Sequence, residues 1–397
     1  MFHAVVEITT CRGIHLQIQM SSPSLPIQKR IHFIDAARAV AILLMLEGHF
    51  IDLTLQPEYR DHAHPIYATW HFIRGFTAPL FFSVTGVIFV FLLSRGQDSP
   101  RSGGNQRVKR GFKRAFELLF WGYLLQTNVL NFNEYLNGTF NQWNFAFHVL
   151  QCLGVGILLL LLVYGLFTLF KKGPLFLYYL LAGVAVFALY PSFKTLPPDQ
   201  YFPPHAPELI QNLFHGPYSV FPPIPWTGFV LLGGAVGALI WKYREYVRDP
   251  RFSLLMTLSG IGIFFLSHGA LCSIDFVFSG NKEWFAKSSW LIGRFGQVLI
   301  VLGLLMRTEK YFKRSDGLFL KVGQKTLPIY VIHVMILYSG FIGVGLNKVW
   351  EENLGPWEAT FGAALFIAFF MVLIHYYHHL ENAWARIKKV LRAPFSQ

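Results

Sequence analysis

Charge is scarce in this chain. Asp, Glu, Lys and Arg make up 14% of its 397 residues, where a soluble domain carries about 25%. A shortage of that size argues against a soluble enzyme. Cysteine is scarce as well. Cys11, Cys152 and Cys272 are scattered and form no CxxC, which excludes a disulfide framework and leaves no metal-ligand spacing, so no metal is expected. The N-terminal segment lacks the apolar core and small-residue cleavage site of a signal peptide. No internal repeat is visible, so the inverted-repeat signature of many transporters is absent. What the chain has in excess is apolar and aromatic: 53% hydrophobic residues, 40 Phe and 10 Trp, with a mean hydropathy of +0.42. This composition reads as an all-α polytopic membrane protein.

A spanning helix needs about 20 mostly apolar residues. Ten stretches qualify, at 33–53, 70–94, 113–132, 145–170, 174–190, 224–242, 252–276, 288–306, 322–345 and 359–380. Pro79 should kink the second, and Gly233 and Gly237 offer a close helix–helix contact. Residues 1–30 read as a poorly ordered cytoplasmic tail, or an over-extended translation start. Residues 31–385 read as one integral membrane domain, 386–397 as a basic cytoplasmic tail, and the Pro-rich stretch 191–223 as loop.

The net charge of +13 is not evenly spread. Alternate loops hold Arg95, Arg101, Arg107, Lys109, Arg110, Lys113 and Arg114, then Lys171 and Lys172, then Lys242, Arg244, Arg248 and Arg251, then Arg307, Lys310, Lys313, Arg314 and Lys321. The opposite loops hold only Arg60, Lys194, Lys282, Lys287 and Lys348. Positive residues collect on the cytoplasmic side, so both termini should be cytoplasmic and the number of spans even. This bias explains the basicity without a nucleic-acid partner; the lipid bilayer is the expected surroundings.

Ionisable groups inside spans are expensive and mark functional positions. In FIDAARAVAILLMLEGHFIDL, Asp35, Arg38 and His49 form one polar stripe, with His49 about 16 Å above Arg38 and Glu47 on the opposite face. In the second span His71 and Arg74 are one turn apart, with His62 and His64 just before them. His268, Cys272 and Asp275 share a face in the seventh span, and Thr326, Tyr330 and His333 in the ninth. His49, His71, Arg74, His268 and Asp275 belong at similar depth and are expected to converge on one cavity. The histidines HYYHH at 375–379 read as an interfacial belt.

The opening RIHFIDAARAVAILLMLEGHF, followed by FIRGFTAPLFFSVTGVIF, resembles the start of the bacterial relatives of heparan-alpha-glucosaminide N-acetyltransferase. The positions that carry the likeness are Arg30, Asp35, Arg38, His49, Pro79, Phe81, Phe82 and Gly86. FHVLQCLGVGILLLL at 147–161 and FPPIPWTGFVLLGGAVGAL at 221–239 extend it, and Gly323 to His333 is similar to a helix of related membrane O-acyltransferases. The likeness departs at Ala39, where the family usually has Gly. It leaves open which histidine matches the family's luminal one; His62, His64 and His71 are the alternatives.

The resemblance implies an enzyme of a bacterial cytoplasmic membrane that moves an acyl group, in the first place acetyl, from acyl-coenzyme A to a sugar or glycan acceptor across the membrane. It implies no permanently bound cofactor, acyl-CoA being a co-substrate. His49, His64 or His71 would be the base, Arg74 the oxyanion partner, and Arg107, Lys109, Arg110, Lys113 and Arg114 the phosphate contacts. Asp35, Arg38, His268, Asp275, Tyr330 and His333 would line the substrate path, and a homodimer is an open option. The rival is a transporter or flippase for a carboxylate or lipid-linked saccharide using the same buried polar residues; a structural subunit without turnover is a third. Release of free thiol separates the first from the second.

Overall fold

The structure, a computed structural model, describes residues 6–9, 15–18, 31–97, 103–195, 207–214, 216, 218–277, 282–311 and 317–392. The chain divides into two units, Met1–Ile31 and His32–Gln397. In the first, where the sequence leads one to expect an irregular tail, β1 (Val6–Thr9) pairs antiparallel with β2 (His15–Ile18), Val6 facing Ile18 and Thr9 facing His15.

The second unit is helical: α1 (His32–Thr54), α2 (Pro65–Arg74), α3 (Thr77–Gln97), α4 (Gly103–Leu124), α5 (Phe132–Leu136), α6 (Val149–Phe170), α7 (Leu175–Thr195), α8 (Glu208–Phe214), α9 (Pro223–Lys242), α10 (Pro250–Val277), α11 (Lys282–Arg307), α12 (Leu318–Gln324), α13 (Thr326–Tyr338) and α14 (Pro356–Arg392). Helix covers most of each expected stretch, but 113–132 leaves α4 at Leu124 and 322–345 leaves α13 at Tyr338. Among the described residues six helical segments are long and apolar enough to cross a bilayer, and Leu175–Pro191 and Thr326–Tyr338 are shorter apolar helices. α1 is not among them because Asp35, Arg38, Glu47 and Asp52 interrupt it. The architecture is that of an all-helical membrane protein.

Three local expectations are corrected. The second stretch does break, but at Gly75–Phe76 rather than at Pro79; Pro79 sits in the first turn of α3, where a missing N–H leaves no bond unmade. The guanidinium of Arg294 lies 2.8 Å from where a Cβ on Gly75 would stand, so a larger residue there would require the arginine to shift. α4, which holds the third stretch, starts at Gly103, ten residues before the expected span, and its second and third turns carry the good helix formers Gln106, Arg107, Lys109 and Arg110. The stretch 191–223 is not all loop: α7 continues through Pro191 to Thr195, and α8 occupies Glu208–Phe214.

α1 is central, packing on α3, α11, α12, α13 and α14. Its first turn is capped from afar. The backbone N–H groups of His32 and Phe33 donate to the two carboxylate oxygens of Glu309, at 3.1 and 2.6 Å, which satisfies donors that a helix leaves orphaned and sets negative charge at its positive end. Gly323 of α12 lies directly on the Asp35 carbonyl. Across the bundle, Gly233 and Gly237 of α9 touch the carbonyls of Ser83 and Val87, and Gly86 touches that of Val230. This is the small-residue seam expected where helices pack in lipid.

Candidate active site

α1 and α13 run side by side, in contact at two levels. At the lower level the Arg38 Nη2 donates to the Thr326 hydroxyl at 2.9 Å, and Arg38 lies 3.8 Å from the Asp35 carboxylate. At the upper level His49 Nδ1 and His333 Nε2 are 3.0 Å apart, with stacked rings. Eleven residues separate the two levels on α1 and seven on α13, about 16 and 10 Å of rise. The helices are therefore parallel, and Thr326, Tyr330 and His333 form the one-faced stripe that their spacing suggests.

The histidine pair has assigned polarity. His333 Nδ1 lies 3.3 Å from the Ile329 carbonyl, which can only accept. In the neutral pair His333 Nδ1 therefore carries the proton, its Nε2 accepts from His49 Nδ1–H, and His49 is left with a bare lone pair on Nε2. His333 is fully buried, whereas His49 is partly accessible. Tyr338 closes the upper end, its hydroxyl 3.4 Å from the His49 carbonyl and its ring edge-on to the imidazole.

α2 covers this level. Arg74 lies over Gly48, where a Cβ would stand 3.2 Å from its side chain. It pairs with Asp52, one turn beyond His49, and its Nε is buried with no hydrogen-bond partner among the described residues. Trp70 Nε1 donates to Glu47 at 2.6 Å. Asp52, Trp70 and Tyr338 escaped the sequence reading. Asp52 had a signal: it is three residues from His49, an acid on the same face of a spanning helix. Tyr338 had none, since it sits at the helix end, outside the Thr326 stripe.

The remaining expected site residues fall in several places. His71 is exposed and packs edge-on against His62 at 4.6 Å, beside Tyr67. His64 is exposed at the start of α2. His268 and Asp275 belong to α10, but their side chains lie outside the described residues, as does that of Cys272. Among the described residues no three His, Cys, Asp or Glu side chains converge as metal ligands.

Below the histidine pair is a cavity of about 220 Å³. Arg38, Thr326 and Tyr330 form one wall and Arg114 stands in another; α3 and α6 supply Phe81, Ile88, Leu153 and Ile157. The space is a lipid-like slot with two cations. Arg114 is shared with Glu117 at 3.0 Å. Lys109, Arg110 and Lys113 are exposed on the same helix. Arg107 is held below the ordinary arginine range, first by burial and then by the charges of Arg110 and Arg95; such crowding of cations favours an anion. Tyr330 links the levels, since it lines the cavity and its ring meets that of His333 edge-on at 4.9 Å.

No curated protein matches this chain. Residues 30–270 match the catalytic region of heparan-alpha-glucosaminide N-acetyltransferase. That match takes in α1 with its polar stripe, the α2–α3 break, the basic helix α4 and the α3–α9 seam; spanning more than half of the sequence, it makes the chain a member of the heparan-alpha-glucosaminide N-acetyltransferase family.

Proposed function

We propose that the chain is a multi-pass acyltransferase of a cytoplasmic membrane, taking an acetyl group from acyl-CoA on the cytoplasmic side and giving it to an amine or hydroxyl of a sugar or glycan on the other. The observation that supports this best is the His49–His333 pair. It leaves a basic nitrogen at the upper level, directly above an apolar slot with cations at the lower one. The acyl–pantetheine arm fits the slot, with Arg38 and Arg114 beside it and the basic face of α4 for the phosphates.

In this reading His49 Nε2 takes the proton of the acceptor as it attacks the thioester carbon. The negative charge that develops on the carbonyl oxygen needs a donor in a water-poor site. Arg74 supplies one through Nε–H, while Asp52 holds the rest of the guanidinium in place. His71 and His64, exposed at the start of α2, are proposed as contacts of the acceptor rather than as the base.

The test is release of free thiol from acetyl-CoA by the purified protein with glucosamine and glucan acceptors. Substitution His49→Gln is expected to lower kcat by about 10²- to 10⁴-fold at unchanged folded yield. Full activity in that variant would remove His49 from the mechanism. Acceptor movement without thiol release would replace the transferase with a transporter.

A further inference from the structure

Two arginines flank the break between α2 and α3, and the site described above uses one of them. Arg74 turns onto Gly48 and Asp52 of α1. Arg294 reaches in from α11, its Nη2 2.8 Å from where a Cβ on Gly75 would stand. It therefore belongs to the upper level, beside the residue that follows Arg74 in the chain. It also lies beyond residues 30–270, outside the stretch that carries the family match.

The partners of Arg294 are neutral. Its Nη1 donates to the Phe72 carbonyl at 2.9 Å and to the Gln297 side-chain oxygen at 3.0 Å. The guanidinium stands 4.7 Å from the centre of the Phe72 ring and 6.0 Å from that of Trp290. Among the described residues no carboxylate pairs with it, and its Nε and Nη2 have no hydrogen-bond partner. The surroundings are apolar and outward-facing. Phe72, Ile73, Trp290 and Ile292 are all exposed, which in a bilayer is surface offered to lipid. The apolar length of α11 is Ser289–Arg307, and Arg294 lies about 8 Å of rise from its Ser289 end. A guanidinium at that depth is within reach of a headgroup and expensive to leave without an anion.

We propose, resting on the transferase reading above, that Arg294 binds the phosphate of a lipid-linked sugar, so that the acceptor enters from the bilayer beside α2 and α11. The Nε–Nη2 edge of a guanidinium can take two phosphate oxygens at once. The exposed apolar side chains around it suit the lipid chain. The sugar joined to that phosphate then lies along the end of α2, with His71 one turn above Gly75 and Arg74 next to Gly75 on the way to His49. A phospholipid of the bulk membrane offers the same phosphate chemistry. The difference is whether the phosphate belongs to the molecule that is acylated, and acceptors that carry chain and phosphate separately decide it.

The experiment follows thiol release from acetyl-CoA by the full chain in phosphatidylcholine nanodiscs. Three acceptors are compared: dodecyl glucosaminide, with a chain and no phosphate; glucosamine 6-phosphate, with a phosphate and no chain; and farnesyl-phosphate-linked glucosamine, with both. For the wild type, KM should be about 10- to 100-fold lower for the third than for the first, the range of hydrogen bonds to a charged group. In Arg294→Gln that preference should collapse through KM, with Arg294→Lys intermediate because an ammonium offers a point charge in place of the fork. Equal KM for the first and third acceptors in the wild type overturns the proposal whatever the variants do. An equal loss on all three acceptors in Arg294→Gln overturns it too, since Arg294 would then only cap α2. A KM for glucosamine 6-phosphate as low as for the lipid-linked sugar overturns the lipid source. Inhibition by added phosphatidylglycerol, with no preference for a phosphate-bearing acceptor, means a bulk headgroup only and also overturns it. Absence of thiol release from every acceptor sinks the transferase reading, and binding of radiolabelled farnesyl-phosphate-linked glucosamine then decides. Binding that Arg294→Gln abolishes keeps the phosphate site; absent or equal binding overturns it as well.

Discussion

At the scale of the residue, the ion pair between Arg74 and Asp52 is the clearest energetic commitment at the upper level. Both side chains are 32% exposed, so the pair is neither a surface contact of little worth nor a fully dry one. Breaking it by Asp52→Ala strands a half-buried guanidinium whose Nε already has no partner among the described residues. The expected loss is about 1–3 kcal/mol, lower than for a fully buried charge. Thermal unfolding of the purified protein measures it. The double variant Asp52→Ala with Arg74→Ala should recover part of the loss, because the stranded charge is gone; losses of Asp52→Ala and Arg74→Ala that simply add in the double variant would show that the pair is not coupled. Arg74 was legible as a candidate, since an ionisable residue in an apolar run stands out, whereas Asp52 was passed over. Which groups pair was not. Arg74 and His71 share a helix face in the sequence, yet Arg74 turns to Asp52 on α1 while His71 turns to His62. Spacing along one helix gives direction, and the partner is chosen by the neighbouring helix, which no local pattern contains.

At the scale of the element, glycine decides which helices can touch. The small residues of LLGGAVGAL read as a contact seam, and α9 does press Gly233 and Gly237 onto the α3 backbone. The partner of that seam, and the equivalent role of Gly323 against Asp35, come only from tertiary structure. Substitution Gly233→Ala is expected to destabilise the protein by about 1–3 kcal/mol, because the new methyl meets the Ser83 carbonyl and rigid backbone must shift. Gly262→Ala on α10 is the matched control, with nothing within 4 Å of the added carbon, and is expected to change the unfolding temperature little. Equal changes in the two would mean that the Ser83 contact does not set the effect, since helix propensity alone favours alanine at both positions. The breaks between elements show the same division. A proline marks the second stretch as irregular, but the chain parts at Gly75, where an arginine from α11 enters, and between α12 and α13 it parts at Lys325, just before Thr326 meets Arg38.

At the scale of the whole molecule, the remaining question is which way it faces. Two independent arguments bear on it. Lys and Arg alternate from loop to loop, the bias from which we propose that the 95–114 side and both termini are cytoplasmic. Separately, the two contact levels make α1 and α13 parallel, with Arg38–Thr326 at one end and His49–His333 at the other. Parallel spans require an odd number of crossings between them. The α2–α3 rod with α4, α6, α7, α9, α10 and α11 counts seven if each crosses once; α14 then returns the chain to its starting side. On that arrangement the cationic slot opens toward the coenzyme and the His49 nitrogen toward the acceptor, as transfer across the membrane demands. Single cysteines in a chain freed of Cys11, Cys152 and Cys272 test it, one at Lys109 on the basic helix and one at Glu134 in the exposed segment after α4. A membrane-impermeant maleimide added to intact cells should label position 134 and spare position 109 until the membrane is opened. Labelling of both from outside would defeat the orientation, and with it the assignment of the slot to a cytoplasmic donor.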